Sequence, residues 1–250
     1  KSTPIEFNLE IMLDFPDWSE TQVNVVLRKM WNNIGRVCGE YAHLGEFRAS
    51  GSDCRIELQG REHLDGLYQD GIGGVLVSGH LGNWELLPVI SAQCGLPLVN
   101  LYREANNPYV EKLLMQARSN LGGAHHSKSI PGVRSVIKGL KTGQHVGMLI
   151  DQKYNEGMLV PFLGQNAMTT STPAELAIRF KVPLVPARIE RIDGARFRVT
   201  VMAPVVIPDS GDVQADKLWV TQSLNALLST WIERKPDQWL WLHNRWGKDL

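Results

Sequence analysis

The junction between a short apolar run and a helix-like segment carries the side chains best suited to chemistry. The stretch VLVSGHLGNWELLP, residues 75–88, begins as a buried strand would and continues as a helix would. His80 and Glu85 lie at the transition, five positions apart, in otherwise apolar surroundings. An imidazole that donates one N–H to a carboxylate can use its other nitrogen to take a proton from a hydroxyl. Such a general base contributes about 10²–10⁴-fold to a rate.

Two glycines decide whether this pair can meet. In one continuous helix, a separation of five residues would place His80 and Glu85 roughly 140° apart around the axis. A turn at Gly79 and Gly82 instead leaves the histidine in a loop and the glutamate in the first helical turn, so the side chains can approach. Spacing alone leaves another interpretation equally open: a glutamate that stabilises the helix N-terminus, beside a histidine that only packs.

The elements around this junction predict an α/β fold with a mostly parallel central sheet flanked by helices. Strand-like runs such as GGVLVSG, PLVNLYR and HVGMLID alternate with helix-like segments. Ligands collect beyond the carboxyl ends of such strands, where His80 and Asp151 both lie. Residues 1–70 are predicted to be an N-terminal helical segment, starting its helix at a Ser19–Gln22 capping box and packed on an α/β core of residues 71–250 in a single domain.

Composition restricts the class of protein. The 250 residues carry no formal net charge, which is contrary to general nucleic-acid binding. Three cysteines without paired spacing are typical of reduced cytosolic thiols. No run of 18 apolar residues and no signal peptide is present, and because the chain begins at Lys1, the sequence leaves open whether a preceding segment carries an anchor.

Other polar residues near strand and helix ends have two interpretations each. Arg103 follows a strand and is placed to bind phosphate, although a surface arginine is slightly favoured. Arg118 is a candidate site residue or a cation that stabilises a helix C-terminus. Asp151 is an even choice between the site and bracing of its loop. His125 and His126 lack a third ligand at useful spacing, so we interpret them as loop histidines and predict no metal site.

Several ordered blocks carry a family resemblance. HLGNWE resembles the HxxxxD/E signature of the lysophospholipid acyltransferase superfamily. From about FPDW to the C-terminus the chain resembles that superfamily's branch of bacterial lipid A late acyltransferases, of the lauroyl/myristoyl type, through LYREANNPYV, GMLIDQKYNEGMLVPFLGQNAMTTSTPAELA, VPLVPARIER and PDQWLWLHNRW. DQK replaces the EGTR-like third block of the glycerol-phosphate branch, which is contrary to a simple glycerolipid acceptor.

The resemblance implies a glycerol-phosphate-acyltransferase-like fold and an O-acyltransferase. The acyl group would pass from acyl carrier protein, or from acyl-CoA, to a hydroxyl of a membrane glycolipid, with no further cofactor. A lipid A precursor is the first choice of acceptor, and a phosphatidylinositol mannoside or another glycolipid is the alternative. The implied location is the cytoplasmic face of the bacterial inner membrane, peripheral or anchored by a segment absent from this chain. The alternative from a second functional class is a non-catalytic protein that binds lipid or acyl carrier protein.

The resemblance also implies roles for individual residues. His80 would be the general base and Glu85 its partner. Five further residues would bind substrate or line the site: Arg118, Arg103, Asn83, Asp151 and Gln152.

Overall fold

The structure, a computed structural model, describes residues 18–102, 104–119, 121–127 and 129–247. Its helices are α1 (Glu20–Glu40), α2 (Arg61–Gln69), α3 (Leu86–Gln93), α4 (Pro108–Ser119), α5 (Ile130–Lys141), α6 (Thr172–Phe180) and α7 (Val213–Arg234), with 3₁₀ turns at Tyr41–Glu46 and Pro236–Gln238. Its strands are β1 (Ile56–Gln59), β2 (Gly74–Ser78), β3 (Leu98–Tyr102), β4 (Ala124–Ser127), β5 (His145–Leu149), β6 (Met158–Phe162), β7 (Gln165–Thr169), β8 (Leu184–Asp193) and β9 (Arg196–Val201).

A seven-stranded sheet organises the molecule, in the order β1-β9-β8-β2-β5-β3-β4. All neighbouring strands run parallel except β8 and β9, which form an antiparallel pair. The remaining two strands, β6 and β7, form a separate antiparallel hairpin. The mostly parallel α/β fold predicted from the sequence is therefore confirmed.

Strand β2 lies at the centre because it is apolar on both faces. Every residue of Gly74–Ser78 is buried. Val75 and Val77 belong to one cluster of buried apolar side chains, whereas Leu76 between them belongs to a second cluster. Since successive side chains of a strand point to opposite faces, the two clusters are the cores on the two sides of the sheet. This double covering fixes the carboxyl end of β2, where His80 follows.

Two parts of the structure differ from the sequence-based expectation. The residues before 70 are not only helical, because they also supply strand β1, which pairs in parallel with β9. His125 and His126, predicted to lie in a loop, belong to the edge strand β4. The sequence AHHS has none of the apolar alternation that marks a strand, so only its pairing with β3 reveals it. The division of the chain at residue 70 stays a prediction.

Helix α1 is capped at its start and tied to the sheet at its end. Its predicted capping box is confirmed: the Gln22 backbone N–H donates to the Ser19 hydroxyl, and the Ser19 backbone N–H donates to the Gln22 side chain at 2.8 Å. At the other end, the Glu40 carboxylate forms a buried ion pair with the Arg191 guanidinium of β8. Among the described residues, no helix combines the length and the apolar character needed to cross a bilayer.

The Glu40–Arg191 pair yields a stability prediction. Glu40→Gln leaves the Arg191 charge buried without its counterion, so we expect the free energy of unfolding to fall by about 3 kcal/mol. Urea denaturation measures this change, with Glu20→Gln, an exposed position on the same helix, as the matched control. Adding Arg191→Met should restore part of the loss by removing the unpaired charge. A single variant as stable as the wild type would contradict the prediction.

Candidate active site

The loop of residues 79–85 between β2 and α3 depends on the two predicted glycines. Gly82 has φ +58°, in the left-handed region, and a Cβ there would lie 2.8 Å from the Ile189 carbonyl oxygen. At Gly79, the absent side chain matters for another reason. A Cβ at this position would lie 3.3 Å from the Asp151 carboxyl, so glycine permits the close approach of that carboxylate.

Asp151 is the carboxylate that contacts His80. Strands β2 and β5 pair in register, Ser78 opposite Leu149, so the residues that follow them meet at the same edge of the sheet. The Asp151 carboxylate accepts three hydrogen bonds: from the His80 backbone N–H at 2.7 Å, from His80 Nδ1 at 2.8 Å and from the Trp239 indole N–H at 2.7 Å. Its side chain is 2% exposed. The imidazole is thus held by a buried, multiply bonded carboxylate.

These contacts determine the protonation of both groups. Burial alone would raise the pKa of the Asp151 carboxyl, but the charge and N–H groups of His80, together with Trp239, lower it to about 2. An ionised carboxylate only accepts hydrogen bonds, so the proton of a neutral His80 lies on Nδ1. The lone pair of Nε2 then remains for proton transfer. The Gln152 amide nitrogen lies 3.5 Å from Nε2.

Glu85 forms a separate pair with Arg118. The guanidinium donates from Nε at 3.0 Å and from Nη2 at 2.5 Å, and the Tyr41 hydroxyl donates to Glu85 at 2.7 Å. Burial opposes ionisation of Glu85, but the hydrogen bonds and charge of Arg118, with the hydrogen bond from Tyr41, outweigh it and the pKa of Glu85 is lowered. The structure therefore does not form the hydrogen bond that was expected between His80 and Glu85. Asp151 takes that place, because β5 brings it beside the loop while α4 brings Arg118 to Glu85.

An apolar cleft opens beside these two pairs. It is lined by Trp84, Glu85, Leu87, Pro88, Asn100, Leu101, Tyr102, Arg118, His125, Gly147, Met148 and Leu149. The Trp84 ring also contacts the His80 ring edge-to-face, with 5.1 Å between their centroids. Nη1 of Arg118 is buried and has no hydrogen-bond partner among the described residues. A ligand oxygen in the cleft would satisfy it.

Comparison with known proteins assigns the chain to a family. The model of the bacterial lipid A biosynthesis acyltransferase family matches residues 3–248. The chain belongs to this family.

Individual relatives agree with the family assignment at low identity. The lipid A biosynthesis lauroyltransferase of Escherichia coli K12 is 26% identical over 253 residues, which cover 95% of this chain and 76% of the relative. The lipid A biosynthesis acyltransferase of Haemophilus influenzae is 20% identical over 91% of this chain and 70% of its own length. A phosphatidylinositol mannoside acyltransferase of Mycobacterium tuberculosis is 25% identical over 77% of this chain and 60% of its own length.

In this member of the lipid A acyltransferase family, the other predicted site residues lie in several places. Gln152 and Asp151 lie at His80, and Arg118 lies at Glu85. Asn83 is 0% exposed: its Nδ2 donates to Glu40 at 2.8 Å and its Oδ1 accepts from the Glu85 backbone N–H at 3.2 Å. Both ends of the amide therefore support the loop, and the contact of Asn83 with substrate stays a prediction. Arg103 lies outside the described residues.

Tyr41 and Trp239 were not predicted as site residues. Tyr41 begins the 3₁₀ turn that follows α1, Trp239 lies in the C-terminal segment, and both have large apolar bodies. Each, however, carries one polar group that must find a partner when it is buried. That requirement was the available signal, and the partners are the two carboxylates, Glu85 and Asp151.

The lowered pKa of Asp151 predicts how stability depends on pH. A carboxyl whose pKa is lower in the folded protein contributes stability that is present above the unfolded value, near 3.9, and is lost as pH falls toward 2. Between pH 6 and pH 3, we expect the wild type to lose about 1 kcal/mol more unfolding free energy than Asp151→Asn. Urea denaturation at both pH values measures this difference.

The control for this comparison is Asp53→Asn, because the side chain of Asp53 is 79% exposed. This variant should follow the wild-type pH dependence. Equal pH dependence of the wild type and Asp151→Asn would show that Asp151 does not carry a stabilised charge.

Proposed function

We propose that this protein transfers a fatty acyl group from a thioester donor, acyl carrier protein or acyl-CoA, to a hydroxyl of a membrane glycolipid. The observation that carries the proposal is the contact of His80 Nδ1 with the buried Asp151 carboxylate, 2.8 Å, which leaves Nε2 as the basic nitrogen. The names of the relatives support a lipid A precursor as the acceptor. The mannoside acyltransferases among them support a phosphatidylinositol mannoside as the alternative.

The geometry accommodates a direct transfer in which the substrate supplies the nucleophile. His80 Nε2 takes the proton of the acceptor hydroxyl while its oxygen attacks the thioester carbonyl carbon, forming the new C–O bond. The resulting oxyanion collapses, the C–S bond breaks, and the leaving thiolate receives the proton from the imidazolium. Asp151 stabilises the imidazolium between the two proton transfers, since its charge lies 2.8 Å from Nδ1.

Arg118 is suited to stabilise the negative oxygen of the tetrahedral intermediate or to bind phosphate. Its Nη1 donor is unpartnered within the described part of the chain and its side chain lines the cleft. Glu85 contributes by holding the guanidinium through Nε and Nη2, which leaves Nη1 for the ligand. In this proposal Glu85 orients Arg118 and Asp151 orients His80.

The apolar cleft is suited to the acyl chain. Trp84 both contacts His80 and lines the cleft, so a chain lying there would bring its thioester carbon toward Nε2. A membrane acceptor and a carrier-bound donor place the reaction at a membrane surface. We propose the cytoplasmic face of the bacterial inner membrane.

The proposed mechanism predicts the effects of removing each member of the dyad. His80→Ala should lower acyl transfer by about 10²–10⁴-fold, because no general base remains. Asp151→Asn should lower kcat by at least about 10²-fold, since the tautomer of His80 is no longer fixed. Transfer of a labelled acyl group from acyl carrier protein to a lipid A precursor measures both.

The matched control is His43→Ala, because the His43 side chain is 58% exposed and pairs with Glu46 at 2.7 Å. This variant should transfer acyl groups at the wild-type rate. Full activity of His80→Ala would end the mechanism. A saturable complex of wild-type protein with donor and acceptor, without transferred label, would instead indicate a binding protein.

The proposed location of the acyl chain predicts a change of chain length. Met148→Trp fills part of the cleft, so the preferred acyl chain should become shorter while shorter donors keep their kcat. Competition between donors of different chain length, read by mass spectrometry of the products, measures the preference. Leu159→Trp is the control, because Leu159 is 50% exposed on β6 and does not line the cleft. An unchanged preference for acyl chain length in Met148→Trp would mean that the acyl chain does not lie in the cleft.

A further inference from the structure

A second concavity, the polar groove, is lined by Lys153, Tyr154, Asn155, Glu156, His243 and Asn244. Its first lining residue, Lys153, directly follows Gln152 in the chain, and the Gln152 amide nitrogen lies 3.5 Å from Nε2 of His80. The apolar cleft reaches the same ring through Trp84. The two concavities therefore approach the imidazole through different residues and differ in polarity.

Lys153 supplies a cation to the groove. Its backbone N–H donates to His243 Nε2 at 2.9 Å. Its ammonium lies over the backbone of Gly247, where a Cβ would overlap Nζ. No carboxylate lies within ion-pair distance of this ammonium in the part of the chain that the structure describes. The groove therefore contains a cation whose charge is not neutralised by a described neighbour.

Asn244 adds a directed hydrogen-bond donor. Its Oδ1 accepts from the Gly247 backbone N–H at 3.0 Å, which fixes the orientation of the amide and leaves Nδ2 as the donor group. Glu156, the one acidic residue of the lining, accepts from the Tyr154 hydroxyl at 3.4 Å. An ammonium and an amide donor in one groove match the oxygens of a phosphate group.

We propose that the polar groove binds a phosphate group of a substrate, with Lys153 Nζ and Asn244 Nδ2 as the donors. This inference rests on the proposed function, because only a two-substrate transfer needs a polar site beside His80 in addition to the apolar cleft. A phosphate has two possible sources: the head group of the glycolipid acceptor, or the phosphopantetheine arm of the donor. Both would keep a polar portion of the substrate in the groove while the reacting groups meet at Nε2.

Kinetics of Lys153→Met test the proposal. The substitution removes the charge and keeps the length of the side chain, so KM for the phosphate-bearing substrate should rise about tenfold with kcat within about twofold. Lys153→Arg keeps the charge and should retain most of the affinity. Lys29→Met, at an exposed position of α1, is the matched control and should leave both KM values unchanged.

Phosphate-free substrates identify the source. If the acceptor carries the phosphate, the KM increase should disappear with an enzymatically dephosphorylated acceptor. If the donor carries it, the increase should disappear with an acyl-N-acetylcysteamine donor, which has the same thioester without phosphate. Unchanged KM values for both phosphorylated substrates, or an equal increase for the phosphorylated and phosphate-free forms, would overturn the proposal.

A binding measurement keeps the test independent of turnover. His80→Ala protein is titrated with glucosamine 1-phosphate and with 4′-phosphopantetheine, each against its dephosphorylated form, at concentrations on the order of 10 mM. Amide NMR signals of residues 152–157 and 243–247 should shift only with a phosphorylated probe, and Lys153→Met should abolish the shift. Absence of any shift would overturn the phosphate site, whereas failure of the wild type to transfer acyl groups would overturn the proposed function.

Discussion

The buried charge of Asp151 is the constraint on which the site depends. A carboxylate with a side chain 2% exposed is costly to bury unless its oxygens receive hydrogen bonds. Three N–H groups supply them, two from His80 and one from Trp239. The end of β2, the end of β5 and the C-terminal segment must therefore meet at one point. The same contacts that make the charge tolerable also determine which imidazole nitrogen carries the proton.

The two carboxylates of the site have different hydrogen-bond partners. Asp151 faces an imidazole, and Glu85 faces a guanidinium and the Tyr41 hydroxyl. Arg118 pairs with Glu85 and the His80 ring pairs with Asp151, so each carboxylate has its own basic partner. The loop of residues 79–85 is held between them by contacts from α1 and from the C-terminal segment: Asn33 Nδ2 donates to the Gly82 carbonyl at 2.9 Å, and the Leu240 N–H donates to the His80 carbonyl at 3.1 Å. Contacts on several sides hold this loop, which suits His80 because its Nε2 must be oriented toward the substrate.

The sequence predicted the parts of this arrangement that depend on local pattern. The alternation of apolar runs with helical periodicity indicated the parallel sheet, and the two glycines indicated the turn that carries His80. The partner of the imidazole could not be derived in this way. Asp151 is 71 positions from His80 and Arg118 is 33 positions from Glu85, so only strand order and helix placement show which carboxylate meets which base. The edge strand β4 was missed because its sequence carries no periodic signal.

The protonation state of His80 tests the central claim most directly. Two-bond ¹H–¹⁵N correlation NMR of the wild-type protein, at a pH where the imidazole is neutral, distinguishes a protonated ring nitrogen from an unprotonated one. The contact with Asp151 predicts the proton on Nδ1 and a bare Nε2. A neutral His80 with its proton on Nε2, or an equal mixture of the two tautomers, would contradict the account.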